Sequence, residues 1–80
     1  MSEELIYVRL RSFISERVPY TLADHDPLID TGAFDSLGIL ELVAFIENEF
    51  GVRFEDEDVS SENFASIQSV AGFVLDKVHS

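Results

Sequence analysis

Cysteine is absent from this 80-residue chain, proline occurs twice and glycine four times. Without cysteine there is no disulfide to staple a small fold and no thiolate for nucleophilic or redox chemistry. Cations are scarce: five Lys and Arg stand against 16 Asp and Glu, for a formal net charge of −11. No apolar run approaches the ~20 residues of a membrane span, so stable membrane insertion is not expected. Met1-Ser2-Glu3-Glu4 has neither the basic region nor the cleavage site of a secretory signal. A protein of the cytoplasm, or of another reducing compartment, is the expectation. A chain this short makes one domain, residues 1–80, and buries only about 60% of its unfolded surface. That leaves no room for a deep, water-excluding catalytic cleft. Hydrophobic residues nevertheless make up 46% of the chain, which argues against disorder.

The charge is unevenly spread. Up to residue 17, Glu3, Glu4 and Glu16 balance Arg9, Arg11 and Arg17, so residues 18–80 carry the whole −11. Phosphate backbones and anionic leaflets would be repelled, and no nucleic-acid partner is expected. A protein with a basic patch is the natural partner. The plainer alternative is that the acid only keeps a small domain soluble.

Hydrophobic periodicity predicts a first helix from about Ser2 to Arg17, with Leu5, Ile6, Leu10, Phe13 and Ile14 on one face. Ser2 fits its amino-terminal cap, with Glu3 and Glu4 behind it. Pro19 stops it. Residues 18–35 read as one long loop holding Pro19, Pro27 and Gly32, tied to the core by Leu22, Leu28, Ile29 and Phe34. A second helix, capped by Asp35 or Ser36, runs to Phe50 and ends at Gly51. On it Ile39, Leu42, Val43, Ile46 and Phe50 share one face, and Glu41, Glu47 and Asn48 share the opposite, solvent face. Leu37, Leu40 and Ala44 lie along the border. Phe54–Asp58 is an acidic connector, and a short helical turn is expected over Val59–Asn63. Ser66 caps a last helix to about Val78, with Ile67, Val70, Ala71, Val74 and Val78 inward. The fold class is all-α: a small four-helix bundle of three main helices and one short one, with a long first loop.

Most chemistry fails on spacing. Asp24-x-Asp26 begins like a calcium loop, but the sixth position is Ile29 rather than Gly and the twelfth is Asp35 rather than Glu. His25 and His79 make no helix-spaced zinc pair, so no metal site is expected. Ser36 lacks the glycine-flanked elbow of serine hydrolases, and nothing supplies a triad with an oxyanion hole. No carboxylate pair stands out as an acid/base couple. The chain reads as a non-enzyme.

Ser36 has a different use. At the start of the second helix, its hydroxyl lies near unsatisfied backbone N–H groups and the positive end of the helix dipole, where a phosphate ester would be stabilised. An isolated Asp-Ser at a helix start would need no function beyond capping. Here the run is Asp30-Thr31-Gly32-Ala33-Phe34-Asp35-Ser36-Leu37, followed by Glu41-Leu42-Val43 and Ile46-Glu47-Asn48-Glu49-Phe50-Gly51. With Glu62-Asn63-Phe64-Ala65-Ser66-Ile67 later on, this resembles the acyl carrier proteins and their peptidyl and aminoacyl relatives over essentially the whole chain. The resemblance implies that Ser36, flanked by Asp35 and Leu37, accepts 4′-phosphopantetheine from coenzyme A through a phosphopantetheinyl transferase. A chain without cysteine then borrows its thiol. The resemblance also implies that the second helix is the recognition surface for acyl-transferring, synthase or adenylating enzymes with basic docking patches. Glu41, Glu47 and Asp35 would supply its acid, and Leu37, Leu40 and Ala44 its apolar part. In fatty-acid carriers the interior can admit an acyl chain. Ile39, Leu42, Ile46, Phe64 and Val70 would line it here, and ordinary core packing accounts for them equally well.

Two residues depart from the pattern of bacterial fatty-acid carriers: Gly38 replaces the usual acid two positions after the serine, and Phe34 is a bulky leader. Both look more like discrete carriers of specialised pathways. The reading is therefore a monomeric acyl carrier of fatty-acid, polyketide or related biosynthesis. A peptidyl, aminoacyl or D-alanyl carrier paired with an adenylating ligase is the near alternative. An unmodified acidic helical adaptor is the alternative of another class.

Overall fold

The first helix is set by its ends. In the computed structural model, which describes residues 2–18, 23–28 and 36–79, α1 spans Glu3–Ser15. Ser2 holds extended angles, and its Oγ accepts a hydrogen bond from the Leu5 N–H at 3.2 Å, as expected of a cap. Ile6, Leu10 and Ile14 recur at helical spacing and are buried. The helix ends two residues before the expected Arg17, with Arg17 and Val18 closing turns onto the Ile14 carbonyl.

The second helix, α2, spans Ser36–Phe50. Gly51 stops it at φ +69°, a left-handed angle that a side chain would strain, and its N–H bonds the Glu47 carbonyl at 3.0 Å. The third, α3, spans Ile67–His79. Ser66 Oγ accepts from the Ser69 N–H at 3.2 Å, which makes Ser66 the cap that its position predicted. Ile67, Val70, Ala71 and Val74 are buried on the inner face, with Val78 packed at its edge.

The short helix lies elsewhere than expected. It is a 3-10 turn at Asp56–Asp58, within the acidic connector, rather than a turn over Val59–Asn63. The Asp58 carboxylate accepts from the Glu55 N–H at 2.9 Å and pairs with Lys77 at 3.0 Å, which fixes the turn three residues early. Ser60 Oγ then accepts from the Asn63 N–H, and the Asn63 amide donates to the Asp58 carbonyl. These side-chain bonds divert the backbone from helix. A single Phe64-to-Ser60 bond is what remains of the expected turn. Among the described residues the architecture is three α-helices plus a 3-10 turn, all-α.

The helices share one core. Leu28, Leu42, Ile46 and Val74 are fully buried, with Phe64 at 2% exposure. α3 packs against both α1 and α2, whereas α1 and α2 face each other across a wider seam. Side chains fill it: Phe13 stacks on Phe45 at 4.3 Å, and Arg9 reaches Glu49 at 2.9 Å. A surface groove of about 350 Å³ follows this seam, lined by Leu5, Val8, Phe13 and Phe45 among others. No helix of the described residues is long and apolar enough to cross a membrane.

The described part of the long loop is tied down at both sides. Leu28 is buried, and its N–H bonds the Ala65 carbonyl at 2.9 Å, while Gln68 N–H bonds the Asp24 carbonyl at 2.8 Å. Arg11 holds the Asp24 carboxylate with a two-pronged contact. Leu22, Ile29 and Phe34, the other expected anchors, lie outside the described residues. The Arg11 contact pulls the Asp24 carboxyl below its ordinary 3.8. A group whose folded pKa is depressed stabilises the fold above its unfolded pKa, and that help is lost as pH falls through the folded value. Arg11→Gln should therefore melt below wild type at neutral pH, and the gap should shrink as pH drops under 3.8. Thermal denaturation across a pH series measures this; a gap constant to the acid limit removes the pair from the loop's anchorage.

Candidate functional site

Fifteen residues of α2 sort into two faces. Leu42, Ile46 and Phe50 recur every four residues and are buried, with Ile39 and Val43 packed beside them. The opposite face holds Leu37, Leu40, Glu41, Ala44 and Asn48, all exposed. Leu37 is 66% and Leu40 61% exposed, the two most exposed large hydrophobic side chains among the described residues. The structure thus brings Leu37, Leu40, Glu41 and Ala44 together on one surface at the amino-terminal end of α2. Ser36 is the first residue of that helix, at the positive end of its dipole. Asp35 lies outside the described residues, as do the Ser36 side chain and the Gly32–Phe34 leader.

Glu47 departs from expectation. It is half-buried, and its Oε2 accepts a 2.9 Å hydrogen bond from the Phe54 N–H. The chain turns at Gly51 and folds back along α2, so a backbone donor arrives where solvent was expected. Phe54 is itself held by Phe64 at 5.8 Å and Phe73 at 5.0 Å between ring centres. Glu47 is thus a brace for the connector. Glu47→Ala should cost about 1.5–3 kcal/mol, the value of a charge-assisted hydrogen bond. Glu41→Ala should cost less than ~0.5 kcal/mol, since Glu41 is exposed. Urea denaturation of the two variants checks the contrast, and equal costs would sink it.

Two residues missed in the sequence complete the electrostatics. Arg17 approaches Glu41 at 3.2 Å and Arg9 approaches Glu49 at 2.9 Å. Only the scarcity of cations hinted at them, because the pairing joins segments over 20 residues apart in sequence. Each of the three glutamates of α2 therefore has a partner within the chain.

A model of the phosphopantetheine attachment site family matches residues 9–74, a stretch that includes Ser36 and the exposed face of α2. This chain belongs to the acyl carrier protein family. The carrier is 30% identical over 80 residues to the acyl carrier protein of Thermotoga maritima, covering 96% of each chain. It is 31% identical over 83 residues to that of Cyanidium caldarium, covering 99% of this chain and 93% of the other. The crystal structure of a Thermotoga maritima acyl carrier protein superimposes with a TM-score of 0.77 at 26% identity, covering 99% of this carrier and 93% of that chain. A chain from a crystal structure of an FAD-dependent dehydrogenase shares the fold, with a TM-score of 0.70 at 24% identity over 84% of this carrier and 94% of that chain. The family is non-catalytic, and its cofactor is phosphopantetheine.

The carrier's geometry fits that group. A helix of 15 residues begins at a hydroxyl residue, and the next side chain along is exposed and apolar. When bound, the group supplies a flexible arm ending in a thiol, the function missing from a chain without cysteine. Phosphopantetheinyl transferase and biosynthetic enzymes are the partners that membership of the family implies.

Proposed function

We propose that Ser36 carries 4′-phosphopantetheine and that this carrier, one domain over residues 1–80, presents acyl groups as thioesters to enzymes of fatty-acid, polyketide or related biosynthesis. The observation that carries the reading is Asp35-Ser36-Leu37 at the head of α2, inside the family match. Three other serines have structural employment: Ser2 and Ser66 cap α1 and α3, and Ser60 accepts from Asn63. In the transfer, the Ser36 hydroxyl oxygen bonds to the phosphorus that bears the pantetheine arm. The pyrophosphate bond of coenzyme A breaks, adenosine 3′,5′-bisphosphate leaves, and a base on the transferase takes the hydroxyl proton. Cytoplasmic, monomeric operation accords with the small acidic domain, and docking proceeds through Leu37, Leu40, Glu41 and Ala44, with Asp35 beside the serine.

The acyl carriers matched over nearly their full length support acyl over aminoacyl cargo. The test is incubation with coenzyme A, Mg²⁺ and a phosphopantetheinyl transferase, read by intact mass. Addition of one phosphopantetheine is expected. No addition with several transferases would leave the unmodified adaptor as the better reading.

A further inference from the structure

The α2 helix of this carrier bears three glutamates, and each is already engaged within the chain. Arg17 reaches Glu41, Arg9 reaches Glu49, and the Phe54 N–H reaches Glu47. The contact at Glu41 matters most. Glu41 follows Leu37 by four residues and so stands one turn above it on the same exposed face. It lies five residues beyond Ser36, about 7.5 Å along the axis, whereas Glu49 lies about 20 Å away.

Arg17 is seated from beneath. Its guanidinium carbon lies 4.2 Å from the centre of the Phe13 ring, and that ring stacks on Phe45 of α2. A cation on an aromatic face is held by the ring's quadrupole. The stack therefore delivers a positive charge from the α1 side to the edge of the Leu37–Leu40 patch. A lysine or arginine of an incoming protein meets at Glu41 a carboxylate whose charge is already shared with Arg17. Leu37 and Leu40, in contrast, are open.

We propose that Arg17 is a specificity-determining residue for docking. It neutralises Glu41 beside the attachment serine, so that this face selects a protein partner with an apolar hollow over Leu37 and Leu40. Partners that read Glu41 with a cation alone are handicapped. The inference rests on the carrier reading above. An exposed ion pair is weak, so the handicap is a few-fold effect on association rather than a block.

The probe is a phosphopantetheinyl transferase with a basic docking surface, supplied with coenzyme A and Mg²⁺. Modification rates are measured at ~0.1 M and at ~1 M salt, where the screening length falls from about 10 Å to about 3 Å. Arg17→Gln should raise kcat/KM about 2–5-fold at the lower salt, and the gain should vanish at the higher. Arg17→Lys, which keeps the charge, should stay near wild type. Arg9→Gln makes the same change in net charge far from Ser36 and should stay near wild type too. In a Glu41→Gln background, Arg17→Gln should give no gain. Circular dichroism confirms that the variants remain helical. The proposal is overturned if Arg17→Gln is no faster, if Arg9→Gln is equally fast, or if the gain survives without Glu41. Wild-type protein that is never modified would fail the carrier reading instead, and the inference with it.

Discussion

Ser36→Ala is expected to abolish phosphopantetheine addition completely while leaving the helical signal in place. The transfer needs an oxygen nucleophile, and a methyl group has none. Two other serines are committed to helix caps. Ser66 is 8% exposed with its Oγ committed to the cap of α3, and Ser2 Oγ accepts from the Leu5 N–H at the far end of α1. Intact mass should show one added phosphopantetheine in wild type and none in the variant under the same transferase. An added mass that persists in Ser36→Ala would move the attachment point away from the head of α2. The docking surface assigned around Leu37 would lose its reason.

The second large effect is in the core. Leu42→Ala should cost ~2–5 kcal/mol, because its side chain is fully buried with Ile46 in the cluster joining α2 to α1 and α3. A domain of this size has roughly 4–12 kcal/mol to lose, so the change threatens folding itself. Loading by any partner should fall in proportion to the unfolded fraction. Leu37→Ala is the informative contrast. At 66% exposure it should cost less than ~0.5 kcal/mol of stability. Its loss should nevertheless slow loading, and the defect should persist at high salt, since an apolar contact is not screened. Denaturant titration beside loading kinetics separates the two. A Leu37 variant that loads at the wild-type rate would take Leu37 off the docking surface.

Much of this was legible from residue order because it depends on neighbours in the chain. The caps at Ser2 and Ser66 and the stop at Gly51 each act on a backbone group within a few residues. The buried face of α2 follows from helical period alone, whereas Leu37 and Leu40, on the border by period, were placed in solvent only by the packing. The head of α2 was legible for the same reason, Ser36 being the first helical residue.

The 3-10 turn shows where local reading ends. Val59–Asn63 offered a helical turn, but Asp58 also answers to Lys77 on α3, and that distant partner settled the placement. Glu47 went the same way. Its position on the helix pointed to solvent, and only the return of the chain after Gly51 brought the Phe54 N–H to it.

Residue types and their spacing determined by themselves that this is an acidic, thiol-free helical domain with a hydroxyl at the head of an amphipathic helix. They determined the fold class, because helical period and capping are short-range properties, whereas the candidate attachment point at Ser36 came from the resemblance of the run around it to carrier proteins. The tertiary structure alone decided which charges are spent. Arg9, Arg11 and Arg17 find Glu49, Asp24 and Glu41 across gaps of 13 residues or more, at distances that depend on how α1 sits against α2 and the loop. Coulomb energy depends on separation in space. A one-dimensional list of charges fixes the total of −11 but not which of them still face a partner.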